Sequence, residues 1–270
     1  MTHFTDLSIE AGFMPTNEAL LYYEKAGNGN SVVFVHGFAL DCRMWNEQFF
    51  KFAKHFQVIR YDARGFGKSS LPTEKPYSHH DDLNSILRQL GIETACFIGL
   101  SMGGRIVLDY ALKFPDSCSS LVLVDAALTG YTFKTFSLDK SYLAAKESGI
   151  ERANEEWLNH DLFYSTRSNI AVSNLLREII STYSGWHWLN TNPLIPINPP
   201  SIEQLNKIKQ PALVIAGQSD LPDFHDISDI LSTRIPNAEK VIIPNAGHMC
   251  NMENPILFNK IVEKFIQSTT

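Results

Sequence analysis

The stretch of residues 97–104, Phe-Ile-Gly-Leu-Ser-Met-Gly-Gly, places a tight local constraint on the fold. It begins as an apolar run typical of a buried strand, and residues 105–114 continue it with the spacing of an amphipathic helix. Ser101 therefore lies in a short turn between a strand and a helix, flanked by Gly99 and Gly103. Such a turn leaves no room for side chains at the flanking positions. The pattern predicts a serine hydroxyl exposed in strained backbone at the start of a helix.

Short apolar runs alternate with helical patterns on both sides of this turn. The strand-like runs are residues 31–35, 56–60, 95–98, 121–124, 211–216 and 240–243. Strands that alternate with helices favour parallel pairing, because each crossover helix returns the chain to the same end of the sheet. We therefore predict an α/β fold with a mainly parallel, doubly wound central sheet.

Polar residues follow several of these strands directly. Ser101, Asp125, Asp220 and His248 each come just after a predicted strand, as does the His-Gly-Phe run at residues 36–38. The carboxyl ends of parallel strands meet at one edge of a sheet, and functional groups gather there. The sequence thus predicts that a nucleophile, a base and two candidate acids converge.

Shorter sequence features predict further details of the local structure. Residues 7–10 and 19–24 predict an antiparallel hairpin with its turn at residues 14–17. Asp81 or Asp82 is a candidate helix cap, which would leave His79 and His80 solvated before the helix. We interpret the Asp62 and Arg64 side chains as an ion pair that holds a tight turn. His36 is interpreted as a brace for its loop, and His187 could line a pocket or pack in a core.

The alternation of strands and helices is interrupted between residues 126 and 203. This region carries helix-like patches and ends in a Pro/Asn-rich stretch at residues 192–200, which would be a stiff connector. We predict a core domain formed by residues 1–127 and 204–270, with residues 128–203 inserted as a helical cap.

Composition excludes several classes of partner. The net charge of −6, without a basic cluster, argues against nucleic acid, and no positive site for an anionic substrate is evident. The four cysteines are scattered singly, which is not the spacing of a zinc or redox site. No apolar run approaches the ~20 residues needed to span a membrane. Residues 1–6 lack the start of a secretory leader, so we expect a reducing, cytoplasmic setting.

The motifs together resemble the α/β-hydrolase superfamily over almost the whole chain. The resemblance rests on the sequences at residues 36–38, 62–69 (Asp-Ala-Arg-Gly-Phe-Gly-Lys-Ser), 99–104, 217–220 (Gly-Gln-Ser-Asp) and 247–248 (Gly-His). Within that family the order serine, acid, histidine identifies a serine hydrolase. The run at residues 249–255, after the histidine, looks like that of enol-lactonase-like and esterase-like members with a helical cap.

The resemblance implies a role for each residue of the triad. Ser101 would be the nucleophile, His248 the base that takes its proton, and Asp220 the acid that orients the imidazole. Asp125 is the alternative acid, since some relatives supply it from that strand. Asp223 and Asp226, near Asp220 in sequence, more simply start the following helix.

The backbone N–H groups of Phe38 and Met102 would form the oxyanion hole by the same resemblance.

The expected activity is cleavage of a small to medium carboxylic ester or lactone. The cap would close an apolar pocket for an acyl substrate, with aromatic lining from Phe133, Phe136, Trp157, Phe163 and Trp186. The alternatives are a C–C bond hydrolase of ring-fission products, a cofactor-free perhydrolase, and a ligand receptor with slow turnover on the same fold. No cofactor and no metal are expected, and a homodimer is possible.

Overall fold

A computed structural model describes residues 7–269 and shows an eight-stranded sheet flanked by helices. Residues 1–6, where we expect no secretory leader, lie outside the described part. The strands are β1 (Ile9–Thr16), β2 (Ala19–Ala26), β3 (Ser31–Val35), β4 (Gln57–Tyr61), β5 (Ala95–Leu100), β6 (Cys118–Val124), β7 (Ala212–Gly217) and β8 (Ala238–Ile243). The helices are α1 (Asn46–Phe52), α2 (His79–Gln89), α3 (Met102–Lys113), α4 (Asp139–Ser148), α5 (Ile150–Leu158), α6 (Ile170–Ser181), α7 (Trp186–Leu189), α8 (Pro222–Arg234), α9 (Cys250–Glu253) and α10 (Pro255–Thr269).

The sheet has the strand order β1-β2-β4-β3-β5-β6-β7-β8. The β1–β2 and β2–β4 pairs are antiparallel, and every pair from β4 to β8 is parallel. Helix α1 packs on α10, whereas α2 packs on α3, which also contacts β5. The predicted α/β fold with a mainly parallel sheet is confirmed.

The central strands β3, β5 and β6 are apolar and buried along almost their whole length. A strand covered by helices on both faces has no solvent side, so its sequence reads as a continuous apolar run. The register pairs Val35 with Gly99 and Leu100 with Val124. The chain therefore leaves these three strands side by side, and residues 36, 101 and 125 follow at the same edge.

Two local predictions need correction. The N-terminal hairpin forms, but residues 14–16 belong to β1, so the turn is shorter than predicted. Helix α2 begins earlier than predicted because Ser78 is its cap: the Ser78 Oγ accepts from the Asp81 N–H at 3.3 Å. His79 and His80 consequently lie in the first turn of the helix and are buried rather than solvated.

The predicted ion pair between Asp62 and Arg64 is also wrong. The Arg64 guanidinium forms a buried, bidentate pair with Asp82, at 2.6 and 2.9 Å. Asp62 instead accepts hydrogen bonds from the backbone N–H groups of Cys42 and Lys68, both at 2.8 Å. The pair thus ties the loop after β4 to α2, a contact between segments distant in sequence.

The helices α4 to α7 lie between β6 and β7, in the region where the alternation of strands is interrupted. The boundaries of this region as a separate cap, residues 128–203, stay a prediction. Among residues 7–269, no helix combines the length and the apolar character that a membrane span requires.

Candidate active site

Ser101 joins β5 to α3 with φ of 55° and ψ of −115°. A residue with a side chain rarely adopts this conformation, which costs on the order of 1–3 kcal/mol. Backbone hydrogen bonds hold it in place. The Ser101 N–H donates to the Val124 carbonyl at 2.9 Å, and the Ser101 carbonyl accepts from the Arg105 and Ala127 N–H groups. This is the geometry of a nucleophile elbow.

The glycines of the elbow are required by the close approach of backbone segments. A Cβ at Gly99 would lie 2.3 Å from the carbonyl oxygen of Gly103, and a Cβ at Gly103 would lie 2.1 Å from that of Val35. Contacts this short do not occur in folded proteins, so both positions must lack a side chain. The expectation from the sequence pattern agrees with the packing.

His248 and Asp220 form a buried hydrogen-bonded pair at the same edge of the sheet. The His248 Nδ1 lies 2.8 Å from the Asp220 Oδ2, and the other carboxylate oxygen accepts from the Leu221 N–H at 2.7 Å. The His248 Nε2 is buried and has no hydrogen-bond partner within residues 7–269. If Nδ1 carries the proton donated to Asp220, Nε2 is the basic nitrogen.

Asp125 lies beside this pair without replacing Asp220. One potential ligand atom from each of Asp125, Asp220 and His248 falls within 4.8 Å of the other two. The Asp125 Oδ1 accepts from the Gly217 N–H at 2.8 Å. Burial and the negative charge of Asp220 raise the pKa of Asp125 well above its ordinary value. In this structure the imidazole is hydrogen bonded to Asp220, the first of the two candidate acids.

These three residues and a second cluster, Asp41, Cys42 and Asp62, have atoms close enough to share a metal ion. In both clusters hydrogen bonds already engage the carboxylates. Asp220 accepts from His248, and the two Asp62 oxygens accept from backbone N–H groups. Neither donor set is an open metal site, since binding an ion would require breaking these bonds.

Phe38 and Met102 place two backbone N–H groups near the elbow. Phe38 follows β3, Met102 is the first residue of α3, and both residues line the large cavity together with Ser101. Within the described range, neither N–H group donates a hydrogen bond to the protein. They are therefore free to donate hydrogen bonds to an oxyanion, and N–H groups at a helix start suit negative charge.

A cavity of about 660 Å³ connects Ser101, His248, Phe38 and Met102. Four of the five predicted aromatic residues line it: Phe133, Phe136, Trp157 and Phe163. Trp186 does not, because it packs its ring against His187, with ring centroids 5.0 Å apart. The volume suits a small to medium organic molecule.

Part of the cavity lining is polar, contrary to the sequence-based expectation that a positive site is missing. Arg105, His79 and Asn192 belong to this polar part, and His79 and Arg105 also line a small second pocket together. The Arg105 side chain forms no hydrogen bond or ion pair with any described residue, and burial lowers its pKa. The sequence signal was available, since Arg105 follows Ser101 by one helical turn.

Two other histidines, His36 and His187, make contacts that hold the surrounding structure. The His36 Nε2 accepts from the Ala63 N–H at 2.9 Å, and its Nδ1 lies 2.7 Å from the Gly37 carbonyl, as expected of a loop brace. His187 both lines the cavity and packs, since its ring stacks on Phe66 with centroids 4.5 Å apart. Burial lowers the pKa of His187 to about 4, so its imidazole is neutral.

Asp223 has a role that the sequence analysis missed. It lies in the first turn of α8, as expected, but its carboxylate also accepts from the backbone N–H groups of Lys134, Thr135 and Phe136, at 2.7–2.9 Å. Burial alone would raise the pKa of Asp223, but these bonds and one from the Thr135 hydroxyl outweigh it and lower that pKa. Asp223 thus anchors a segment whose Phe133 and Phe136 line the cavity.

Comparison with known proteins agrees with the fold. A family model described as the alpha/beta hydrolase fold matches residues 30–255. The structure is similar to a thermophilic esterase from Thermogutta terrifontis, with a TM-score of 0.83 and 26% identity, covering 96% of this chain and 99% of that one. It is also similar to the enol-lactonase from Burkholderia xenovorans LB400, with a TM-score of 0.82, 25% identity, and coverage of 95% and 100%.

A curated relative points to the same chemistry. Carboxylesterase YbfK of Bacillus subtilis is 23% identical over 249 residues, which are 87% of this chain and 80% of that protein. Because the family model spans most of the chain, and its relatives include esterases and lactonases, the protein belongs to the alpha/beta hydrolase fold family and is a hydrolase.

Proposed function

We propose that this hydrolase cleaves a small to medium carboxylic ester or lactone through an acyl-enzyme on Ser101. The His248 Nε2 takes the proton of the Ser101 hydroxyl as its oxygen attacks the acyl carbon. Asp220 holds the imidazole by its Nδ1 hydrogen bond and stabilises the imidazolium that forms. Ser101 then carries the acyl group.

The negative oxygen of the tetrahedral intermediate would accept from the backbone N–H groups of Phe38 and Met102. His248 returns its proton to the leaving alkoxide, so the alcohol departs, or stays attached when the substrate is a lactone. Water then attacks the acyl-enzyme with His248 again acting as base, which releases the acid and restores the serine.

One observation carries this proposal. Ser101 and His248 line the same cavity, and the only nitrogen of His248 not bonded to Asp220 is buried without a partner in the described chain. Hydrogen bonds of catalytic residues are often long before substrate binds, so an unpaired Nε2 beside the elbow suits a resting base.

The test is hydrolysis of p-nitrophenyl acetate by the wild-type protein and by Ser101→Ala and His248→Ala. Each variant is expected to lose at least about 10³-fold in kcat, since both residues act in one proton transfer. His225→Ala, on α8 outside the cavity, is the matched histidine control. Trapping the acyl-serine by mass spectrometry of a denatured mixture locates the intermediate. Wild-type turnover in Ser101→Ala would overturn the proposal.

A panel of substrates tested on the wild-type protein distinguishes the alternative functions. A panel of acyl esters, lactones, a ring-fission dienone and an acid with hydrogen peroxide separates ester hydrolysis from C–C cleavage and perhydrolysis. A receptor would bind a ligand tightly with negligible turnover on every substrate of the panel.

A further inference from the structure

The side chains that line the large cavity include a positive charge without a negative one. Of the described residues that line it, Arg105 carries the one permanent charge, and none is an aspartate or glutamate. The remaining titratable groups in the lining are histidines and Tyr142. His79 and His187 are neutral because burial lowers the pKa of each, and burial raises the pKa of Tyr142, which keeps its phenol neutral. The cavity therefore presents a net positive charge to whatever occupies it.

Arg105 has no protein partner that explains its place. Its guanidinium makes no hydrogen bond and no ion pair within residues 7–269, although the residue is half-buried. Asp109, four residues further along α3, attracts the guanidinium electrostatically but does not pair with it, since its carboxylate accepts from the hydroxyls of Thr129 and Ser201. A partly desolvated cation without a hydrogen-bonded partner is unfavourable, and a ligand anion would offset that cost.

The surroundings of Arg105 supply further donors. His79 is only 5% exposed, lines both the cavity and a small second pocket together with Arg105, and its Nδ1 is buried with no partner in the described structure. Asn192 lines the cavity too and carries an amide N–H₂ group. A guanidinium, an imidazole and an amide are the donor types that together bind a carboxylate.

The position of Arg105 relates this anion site to the reaction. Arg105 lies four residues after Ser101, just over one turn of α3, which is about 6 Å along the helix axis. An acyl group bound at Ser101 could therefore place a second polar group, a few bonds from its carbonyl, against the guanidinium. The remaining aromatic lining would contact the apolar part of the substrate.

We propose that Arg105 binds a free carboxylate of the substrate, so that the preferred substrates are half-esters or lactones of acids that keep a second, ionised carboxyl group. This rests on the proposed hydrolase function of the site. It adds Arg105 as the residue that selects between anionic and neutral acyl groups, with His79 and Asn192 as secondary donors.

The test compares monoethyl glutarate with its neutral counterpart ethyl valerate by titration of the released acid. The wild-type protein is expected to have the higher kcat/KM for monoethyl glutarate. In Arg105→Met the ratio of the two kcat/KM values should fall at least about tenfold, mostly through KM, because a charge-assisted contact is lost. Arg105→Lys, which keeps the charge but not the planar fork, should fall in between.

Arg177→Met is the matched control, because Arg177 is exposed on α6, outside the cavity lining. Its substrate ratio should equal that of the wild type. Melting temperatures of all variants show whether Arg105→Met remains folded. If it does not, Arg105→Lys decides the question by turnover, and Ser101→Ala/Arg105→Lys replaces the double variant in the binding experiment below.

Binding is measured separately from turnover by calorimetry with monoethyl glutarate on Ser101→Ala and on Ser101→Ala/Arg105→Met. The second variant is expected to bind at least about tenfold more weakly. An unchanged ratio in Arg105→Met, a wild-type preference for ethyl valerate, or equal binding by the two variants would overturn the role of Arg105. Absence of hydrolysis of both esters by the wild type would count against the proposed function, and the binding data would still judge Arg105.

Discussion

Asp125 and Asp220 bring two carboxyl groups close together at the edge of the sheet, yet only Asp220 is hydrogen bonded to His248. Two buried carboxylates this close cannot both ionise at low cost. Burial and the charge of Asp220 raise the pKa of Asp125, which favours the neutral, protonated form of Asp125. Asp220 is the carboxyl group of the two that contacts the imidazole.

Asp220→Asn and Asp125→Asn should therefore differ greatly in activity. Asp220→Asn removes the charge that stabilises the imidazolium, and we expect kcat for p-nitrophenyl acetate to fall on the order of 10³- to 10⁴-fold. Asp125→Asn replaces a neutral carboxyl group with a neutral amide whose oxygen can still accept from the Gly217 N–H. We expect a loss of less than about tenfold, measured as kcat at neutral pH.

The opposite ranking would identify Asp125 as the acid. Melting temperatures of both variants serve as the control, since loss of folding would lower activity irrespective of the chemistry. Equal, small losses in both would mean that neither carboxylate supports His248.

Gly103→Ala should prevent folding of the elbow. The new Cβ would lie 2.1 Å from the Val35 carbonyl oxygen, which belongs to a central strand and cannot move aside. We expect a loss of more than about 3 kcal/mol in the free energy of unfolding, measured by urea denaturation. Gly12→Ala is the control, because its Cβ meets only the Tyr23 ring at an ordinary 3.5 Å. Similar stability of both variants would contradict the packing.

Sequence reasoning predicted the fold, and the edge of the sheet where the candidate site residues lie, for a physical reason. Strand periodicity determines which residues follow which strand, and parallel pairing brings those positions to one edge. Ser101, Asp220 and His248 could be located together in this way without knowing any side-chain contact. The glycines of the elbow could also be predicted from the sequence, because only glycine fits where two backbone segments approach this closely.

Side-chain partners across segments could not be read from the sequence. Arg64 lies two residues from Asp62 but pairs with Asp82 on α2, because the sheet and helix bring those groups together. Asp223 reaches the backbone of residues 134–136 across about ninety residues of chain. Arg105 occupies an ordinary position in a helical pattern, and only the structure shows that it lines the cavity without a hydrogen bond or ion pair to any described residue.

The buried His187 should make the protein less stable in acid. Its pKa is about 4 in the folded protein and near 6.5 when unfolded, so the unfolded chain binds the proton first as the pH falls. Stability from this residue is complete above about pH 6.5 and decreases as the pH falls towards about 4. Between about pH 7 and pH 5 we expect a contribution of about 2 kcal/mol, measured by urea denaturation at each pH.

His187→Gln should weaken that pH dependence while lowering stability at neutral pH through loss of the stacking on Phe66. His55→Gln, at an exposed position, is the control and should keep the wild-type slope. His79 contributes in the same direction, since burial lowers its pKa too, so His187→Gln should remove only part of the slope. An unchanged slope in His187→Gln would show that folding does not lower the pKa of His187.

Asp223→Asn should loosen the wall of the cavity without touching the proposed triad. The amide group cannot accept all the hydrogen bonds that the carboxylate receives from residues 134–136, and at least one N–H group would lose its partner. We expect a loss of about 1–3 kcal/mol in stability and a several-fold rise in KM with a smaller change in kcat, because Phe133 and Phe136 line the cavity. Limited proteolysis should cut the variant faster within residues 131–138. Asp229→Asn, at an exposed site on the same helix, is the matched control, and equal KM values in the two variants would exclude this anchoring role.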